Sequence, residues 1–299
     1  MRVTDQTALP GGNQTLRAAL WMIGAIASFS AMALAGRKLG SQYDTFEIML
    51  YRSLFGVLIV LAIAFGTGTW HEINKDAFGL QVLRNLMHFT GQNLWFYAVT
   101  VIPLAQVFAL EFTTPIWVIL LSPMLLGERL SRVRALSAAI GFVGILIVAR
   151  PSVAGLNGGM LAAAGCAVFF ALTFIATKKL TTRQSITGIM FYLTLLQLIF
   201  GVISAGYDGD IAPPTAASAP FLALIGAAGL LAHYCITNAL KIAPATVVSP
   251  LDFARLPVIA ILAMLVYGET LDAWVFVGAV IIFAGNYLNI WFESHKKTA

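Results

Sequence analysis

Displaced by 141 residues, this chain falls back on itself without a gap. Pro103 lands on Pro244, Phe112 on Phe253, and Gly127-Glu128 on Gly268-Glu269. Ile140, Phe142 and Gly144 land on Ile281, Phe283 and Gly285, and Phe29 lands on Phe170. Lys38-Leu39 coincides with Lys179-Leu180, and Ile48-Met49 with Tyr51 coincides with Ile189-Met190 with Tyr192. One displacement over nearly the whole length is the mark of a duplicated unit. The unit is about half the chain and holds an odd number of apolar runs. If those runs cross a membrane, the two copies must face opposite ways, an arrangement that many secondary transporters use to build two exchangeable halves around a central site.

Composition says that the runs do cross. The chain is 59% hydrophobic and 10% charged, against roughly 25% charged in soluble domains. Ten apolar runs are read, at about 16–36, 46–66, 79–99, 103–126, 134–150, 158–177, 185–206, 220–240, 244–267 and 273–292. Most have the roughly 20 residues that a 30 Å hydrocarbon layer requires. A soluble fold would have to bury ten helices without a polar face. In lipid each helix satisfies its own backbone. The expected fold is therefore all-α and integral to the membrane, with ten transmembrane helices in two inverted five-helix repeats. Residues 1–15 form a disordered cytoplasmic tail, 16–150 the first repeat and 151–293 the second, together one transmembrane domain.

Lysine and arginine set the orientation. With the N-terminus inside, the inner segments hold twelve basic residues: Arg2, Arg17, Lys75, Arg129, Arg132, Arg134, Lys178, Lys179, Arg183, Lys241, Lys296 and Lys297. The outer segments hold Arg37, Lys38 and Arg150. Both termini are expected in the cytoplasm of a bacterial-type inner membrane. The net charge of +5 follows from that topology; the bases are dispersed, so nucleic acid is not a partner. Cys166 and Cys235 lie within spans and read as small buried residues. Neither a cofactor nor a metal is expected, because no ligand spacing and no phosphate-binding loop occurs.

The duplication, the proline-containing fourth span and its Gly127-Glu128-Arg129-Leu130 end resemble the drug/metabolite transporter superfamily, and within it the EamA family. Gly268-Glu269-Thr270-Leu271 repeats the signature, and each is followed by a glycine-bearing last span, Gly141-Phe142-Val143-Gly144 and Phe283-Ala284-Gly285. The likeness covers nearly all of the chain, and its nearest point is with exporters of aromatic amino acids. One departure is the first span, which reads Trp21-Met22-Ile23-Gly24 where the family often carries a Trp-Gly pair. The resemblance implies a secondary transporter exporting amino acids with aromatic or other apolar side chains, or related metabolites. Efflux of organic cations or drugs, and passive facilitation, are the alternatives.

Ionisable groups inside spans are costly and need a cavity or a partner. In the third span Arg84, His88, Gln92 and Trp95 share one helical face. A cation, hydrogen-bonding groups and an aromatic plane suit a zwitterion with a bulky side chain; the bland reading is an interface anchor for Arg84 and structural roles for the others. Gln92 corresponds to His233 of the eighth span, which would then oppose it and could titrate. Glu111 and Asp252 correspond in the fourth and ninth spans, near Pro115, Pro123, Pro250 and Pro257. A proline frees a carbonyl and can hinge a span. The hinge is expected at Pro115 and Pro257, with the two inverted bundles rocking about it. The carboxylates read either as substrate ligands or as structural partners, Asp252 pairing with Arg255 one turn away; Arg52 in the second span also needs a partner. Glu128 and Glu269 read as loop-organising groups outside the site. Ser137, Gly141 and Gly144 in the fifth span, with Gly278 and Gly285 in the tenth, read as close-packing surfaces or a dimer face, so a monomer and a homodimer are both compatible. Trp95, Tyr97, Trp117, Tyr192 and Tyr234 are the aromatics near polar positions. An intramembrane enzyme is disfavoured, since no nucleophile–base or metal-binding pattern is present.

Overall fold

The computed structural model describes residues 12–128, 131–149, 157–207, 209–269 and 273–295. Arg129 and Leu130 of the first signature, Arg150 with the junction of the two copies, and Lys296-Lys297 lie outside the described residues, as does the tail up to residue 11. Every regular element among the described residues is helical. In order they are α1 (Gly12–Leu39), α2 (Thr45–Gly66), α3 (Phe78–Val101), α4 (Leu104–Glu111), α5 (Thr114–Leu126), α6 (Arg132–Ala149), α7 (Gly158–Leu180), α8 (Ile186–Ala205), α9 (Ala219–Ile242), α10 (Ala245–Leu251), α11 (Arg255–Tyr267) and α12 (Ala273–His295). Short 3-10 turns occupy Thr69–Glu72 and Asp252–Ala254. Among the described residues, seven stretches are long and apolar enough to cross a membrane: Gln14–Leu39, Thr45–Gly66, Gln106–Leu126, Gly158–Leu180, Ile186–Ala205, Ala219–Ile242 and Ala245–Tyr267. Helix α3, with its polar stripe, is not among them.

Local chemistry sets the helix ends. Asp44 and Glu47 form a reciprocal capping box at the start of α2, and Asn157 and Ser185 accept backbone N–H bonds at the starts of α7 and α8, each filling donors that the first turn leaves free. Gly127 (φ 69°) and Gly268 (φ 67°) end α5 and α11 in the left-handed region, which only glycine enters without a Cβ penalty. That is the backbone reason for a glycine in each Gly-Glu signature. Helix α1 begins at Gly12, inside the segment expected as a loose tail. Thr15 is already fully buried.

The most extensive helix pairings are α1 with α9, α3 with α7, α2 with α8, and α6 with α12. In the last pair the small residues face each other within the chain. A Cβ on Gly144 would sit 2.8 Å from the Gly278 carbonyl oxygen, and one on Gly285 would sit 2.9 Å from that of Ser137. Backbones this close exclude larger side chains, the usual condition for tight helix contact in lipid. The packing reading of these spans therefore holds. The loop before α9 is tied to α2: Tyr51 donates to the Ala212 carbonyl (2.7 Å), and Ala212 N donates to Glu47 Oε1 (2.6 Å).

Two of the apolar runs are broken. The run 103–126 splits into α4 and α5 around Phe112-Thr113, and the run 244–267 splits into α10 and α11 around Asp252–Ala254. Pro115 lies in the first turn of α5 and Pro257 in that of α11, where a missing N–H costs no intrahelical bond. The breaks fall at Glu111 and Asp252, so each carboxylate sits at the junction of two half-helices.

Candidate functional site

The broken helices open onto a central cavity. Its wall is drawn from Phe29 and Met32 (α1); His88, Gln92 and Trp95 (α3); Glu111 and Phe112 at the first break; Thr114 and Pro115 (α5); Phe170, Thr173, Phe174 and Thr177 (α7); His233 and Ile236 (α9); and Ser249, Asp252 and Arg255 at the second break. Its volume is about 40 Å³, room for a few waters at roughly 10–15 Å³ each. Twelve of these eighteen residues form six pairs under the 141-residue displacement: Phe29 with Phe170, Met32 with Thr173, Gln92 with His233, Trp95 with Ile236, Glu111 with Asp252, and Thr114 with Arg255.

A buried ionic triad forms one end. Arg255 Nη2 donates to Glu111 Oε1 at 2.5 Å and to Asp252 Oδ2 at 2.7 Å. Trp95 Nε1 donates to the other Glu111 oxygen at 2.6 Å. The guanidinium carbon lies 4.7, 5.0 and 5.1 Å from the ring centroids of Phe29, Phe108 and Phe112, within reach of cation–π attraction. The expected Asp252–Arg255 pair is thus present, and Glu111 joins it. Two carboxylates share one guanidinium, so the triad carries one negative charge when both are ionised and none when they hold a proton.

His88 and His233 meet across the cavity, with ring centroids 4.4 Å apart and planes at 87°. Both His88 nitrogens and His233 Nε2 are buried without a hydrogen-bond partner among the described residues, as is Gln92 Oε1. Buried polar atoms are ordinarily satisfied, so this cluster is open to a ligand or to water. Arg84 is fully buried but not in the wall; it reaches the cavity through Thr177, whose Oγ1 accepts from Arg84 Nε at 3.1 Å.

Of the five aromatics singled out in the sequence, only Trp95 lines the cavity. Tyr97, Trp117 and Tyr234 are 45%, 39% and 40% exposed on the outer surface, and Tyr192 is buried away from the wall. Proximity to polar residues was a poor guide because aromatic rings are as well accommodated by lipid as by a cavity. The rings that do contribute, Phe29, Phe170, Phe174 and Phe112, carried a usable signal in one case, since Phe29 and Phe170 correspond between the copies. Glu128 and Glu269 organise loops as expected: Glu128 accepts from the backbone N of Ala245 (3.0 Å) and Thr246 (3.3 Å) at the start of α10, and Glu269 pairs with Arg37 at 2.6 Å. Cys166 and Cys235 are free and buried.

The sequence profile of the EamA-like transporter family matches this chain twice, over residues 16–150 and 157–291. The chain belongs to the EamA-like transporter family. As a member of that family it is a multi-pass membrane transporter of small metabolites and not an enzyme. Among its relatives, an S-adenosylmethionine uptake transporter of Rickettsia bellii is 25% identical over 275 residues, 91% of this chain and 93% of that protein. A riboflavin transporter of Vibrio cholerae is 28% identical over 272 residues, 89% and 90% of the two chains. A solved crystal structure of 19% identity superposes with a TM-score of 0.76 over 92% of this chain and 97% of the other; at that identity the likeness concerns the fold alone. These relatives carry names that are not those of amino-acid exporters, so this EamA-family chain shares with them the transport of a small metabolite and no particular substrate.

Proposed function

We propose that the central cavity is the substrate site of an alternating-access transporter for amphipathic metabolites that join a charged, amino-acid-like end to a planar or apolar one. The observation that carries this reading is the composition of the wall: two carboxylates sharing one guanidinium, a pair of unpartnered imidazoles and a set of aromatic faces, all around one cavity. Aromatic amino acids fit it; of the molecules named in the relatives, S-adenosylmethionine fits it at both ends and riboflavin at its planar end only. S-adenosylmethionine is itself an amino acid bearing a purine, and riboflavin is a planar ring system. His88, Gln92, Trp95, His233, Glu111 and Asp252 would contact the substrate. At about 40 Å³ the cavity is contracted, so loading requires the walls to part. Pro115 and Pro257, at the two helix breaks, are where they would bend. Export and uptake are the same cycle run down opposite gradients, so direction follows from the gradients and not from the wall.

The inverted five-plus-five plan supplies the alternation, since each half can take the shape its twin holds. Two observations support that plan. The family profile matches once in each half. Exchanging the copies also turns the α1–α9 pair into the α7–α3 pair and leaves α2–α8 and α6–α12 unchanged. With ten spans and the inner basic excess, both termini are cytoplasmic. A cysteine at position 5 or 295 is then expected to resist a membrane-impermeant thiol reagent in intact cells; labelling of either would reverse the orientation.

The functional test is flux in proteoliposomes with aromatic amino acids, S-adenosylmethionine, riboflavin, small amino acids and an organic cation, each gradient imposed in both directions. Ring-bearing amino acids or their derivatives are expected to be carried faster than small amino acids. Carriage of the organic cation alone, held by the triad's carboxylates, would replace this reading with drug efflux. No flux of any compound would overturn it.

A further inference from the structure

Two arginines inside the bundle have no acidic partner. Arg52 on α2 is 5% exposed and Arg84 on α3 is 0% exposed, and among the described residues neither lies within ion-pair distance of a carboxylate. Arg84 donates only to neutral acceptors, Thr177 Oγ1 and Asn85 Oδ1, both at 3.1 Å, and its Nη2 is buried without a partner. Arg52 has no side-chain hydrogen bond among the described residues, and its Nε is buried and unpartnered. A chain of contacts joins them: Arg52 and Gln197 line one small pocket, Gln197 Nε2 donates to the Asn85 carbonyl at 2.8 Å, and the Asn85 side chain accepts from Arg84. Beside them Gln81 and Gln197 are fully buried, and each has an unpartnered side-chain atom.

The fold makes room for this arrangement. The Arg52 guanidinium lies against Gly229 of α9, where a Cβ would stand 2.6 Å from Nε, so any larger residue there would make the guanidinium shift. The scaffold itself does not need the pair. At the 141-residue displacement Arg52 corresponds to Leu193 and Arg84 to Ile225, apolar residues that serve the other copy in the same places. An unpaired charge within a span is expensive, and two like charges close together are more so. A ligand of opposite charge removes that cost.

We propose that Arg52 and Arg84 hold the anionic group of the transported molecule, which makes the substrate a carboxylate-bearing metabolite. This deepens the transporter reading given above and rests on it. Thr177 links the two regions, lining the cavity while accepting from Arg84. The triad of Glu111, Asp252 and Arg255, with two carboxylates to one guanidinium, faces the same space. A zwitterion therefore lies with its carboxylate toward the arginines and its ammonium toward the triad. Guanidinium groups suit this role, because their fixed fork matches a carboxylate.

The test uses the full chain purified in detergent and three probes sharing one ring: 3-phenylpropionate (anion only), phenylalanine (zwitterion) and phenethylamine (cation only). Affinity is read from the concentration dependence of the melting temperature. The two carboxylates are expected to stabilise the protein, and Arg52→Gln and Arg84→Gln should each weaken both at least tenfold while leaving phenethylamine unchanged. Arg84→Lys, which keeps the charge but not the fork, should fall between. Without ligand the glutamine variants should melt at or above the temperature of the parent, because each relieves an unpaired charge. A ligand-free melting temperature that falls, or a variant that does not fold, would mean a structural role and overturn the proposal. So would carboxylate binding that survives both substitutions, failure of either carboxylate to stabilise the parent, or saturation by chloride or sulfate without competition from the carboxylates. Flux of a ring-bearing amino acid through the parent would in each case leave the transporter reading standing.

Discussion

Arg255→Met is expected to remove most of the folded protein from the membrane. Its guanidinium is the only cation paired with Glu111 (2.5 Å) and Asp252 (2.7 Å) among the described residues, beneath three phenylalanine rings. Taking away one partner of a buried ion pair costs about 3–5 kcal/mol, because the remaining charge is left without compensation. Here two carboxylates would be stranded together. Neutralising the whole cluster is a different matter: Glu111→Gln/Asp252→Asn/Arg255→Met leaves no charge in the cluster and keeps an acceptor for Trp95 Nε1. Thermal unfolding in detergent should show the single variant melting well below the parent and the triple variant recovering most of the loss. If the triad also meets substrate, the triple variant will fold and carry nothing. A single variant as stable as the parent would show that the three groups are not an interdependent ionic unit.

Trp95→Ala carries the second large effect, and it has two separable parts. The indole is 1% exposed, donates to Glu111 Oε2 at 2.6 Å and packs edge-on against Phe96 and Phe108 at 5.1 and 6.0 Å. Truncating so large a buried side chain costs about 3–5 kcal/mol, and one oxygen of Glu111 also loses its donor. Trp95→Phe keeps a ring and most of the packing while removing only the N–H. In the phenylalanine variant, flux of ring-bearing substrates should keep its advantage over small amino acids. In the alanine variant that advantage should fall by about tenfold, the scale of an aromatic pair at 0.5–1.5 kcal/mol. Equal losses for ring-bearing and small substrates in folded Trp95→Ala protein would make Trp95 a packing residue with no part in selection.

Much of the candidate site could be read along single helices. His88, Gln92 and Trp95 recur at helical spacing on one face, and all three line the cavity. Asp252 and Arg255 stand one turn apart, and they pair. The 141-residue displacement named His233 as the counterpart of Gln92, and His233 stands in the same wall facing His88. In each case the signal was local, or was copied at a fixed interval, so no knowledge of the packing was required. The misreadings have one cause. Tyr97, Trp117 and Tyr234 lie beside polar residues yet point outward, because in lipid the outer face of a helix is as apolar as its packed face and gives a ring no preference that sequence could register.

The sequence alone therefore determined that the chain is helical, that it lives in a membrane, that its halves repeat and which few polar groups the spans carry. These follow from runs, spacings and counts, which are properties of neighbours along the chain. Tertiary structure alone decided how those polar groups are partnered. Glu111 and Arg255 are 144 residues apart, and only the approach of the two helix breaks makes them a triad with Asp252. Arg84 and Thr177 meet across 93 residues, while Arg52 lies against a bare glycine of α9 with no carboxylate near it. Whether a buried charge is neutralised depends on which helices touch and at what depth. Electrostatic energy depends on distance in space, and separation along the sequence does not fix that distance.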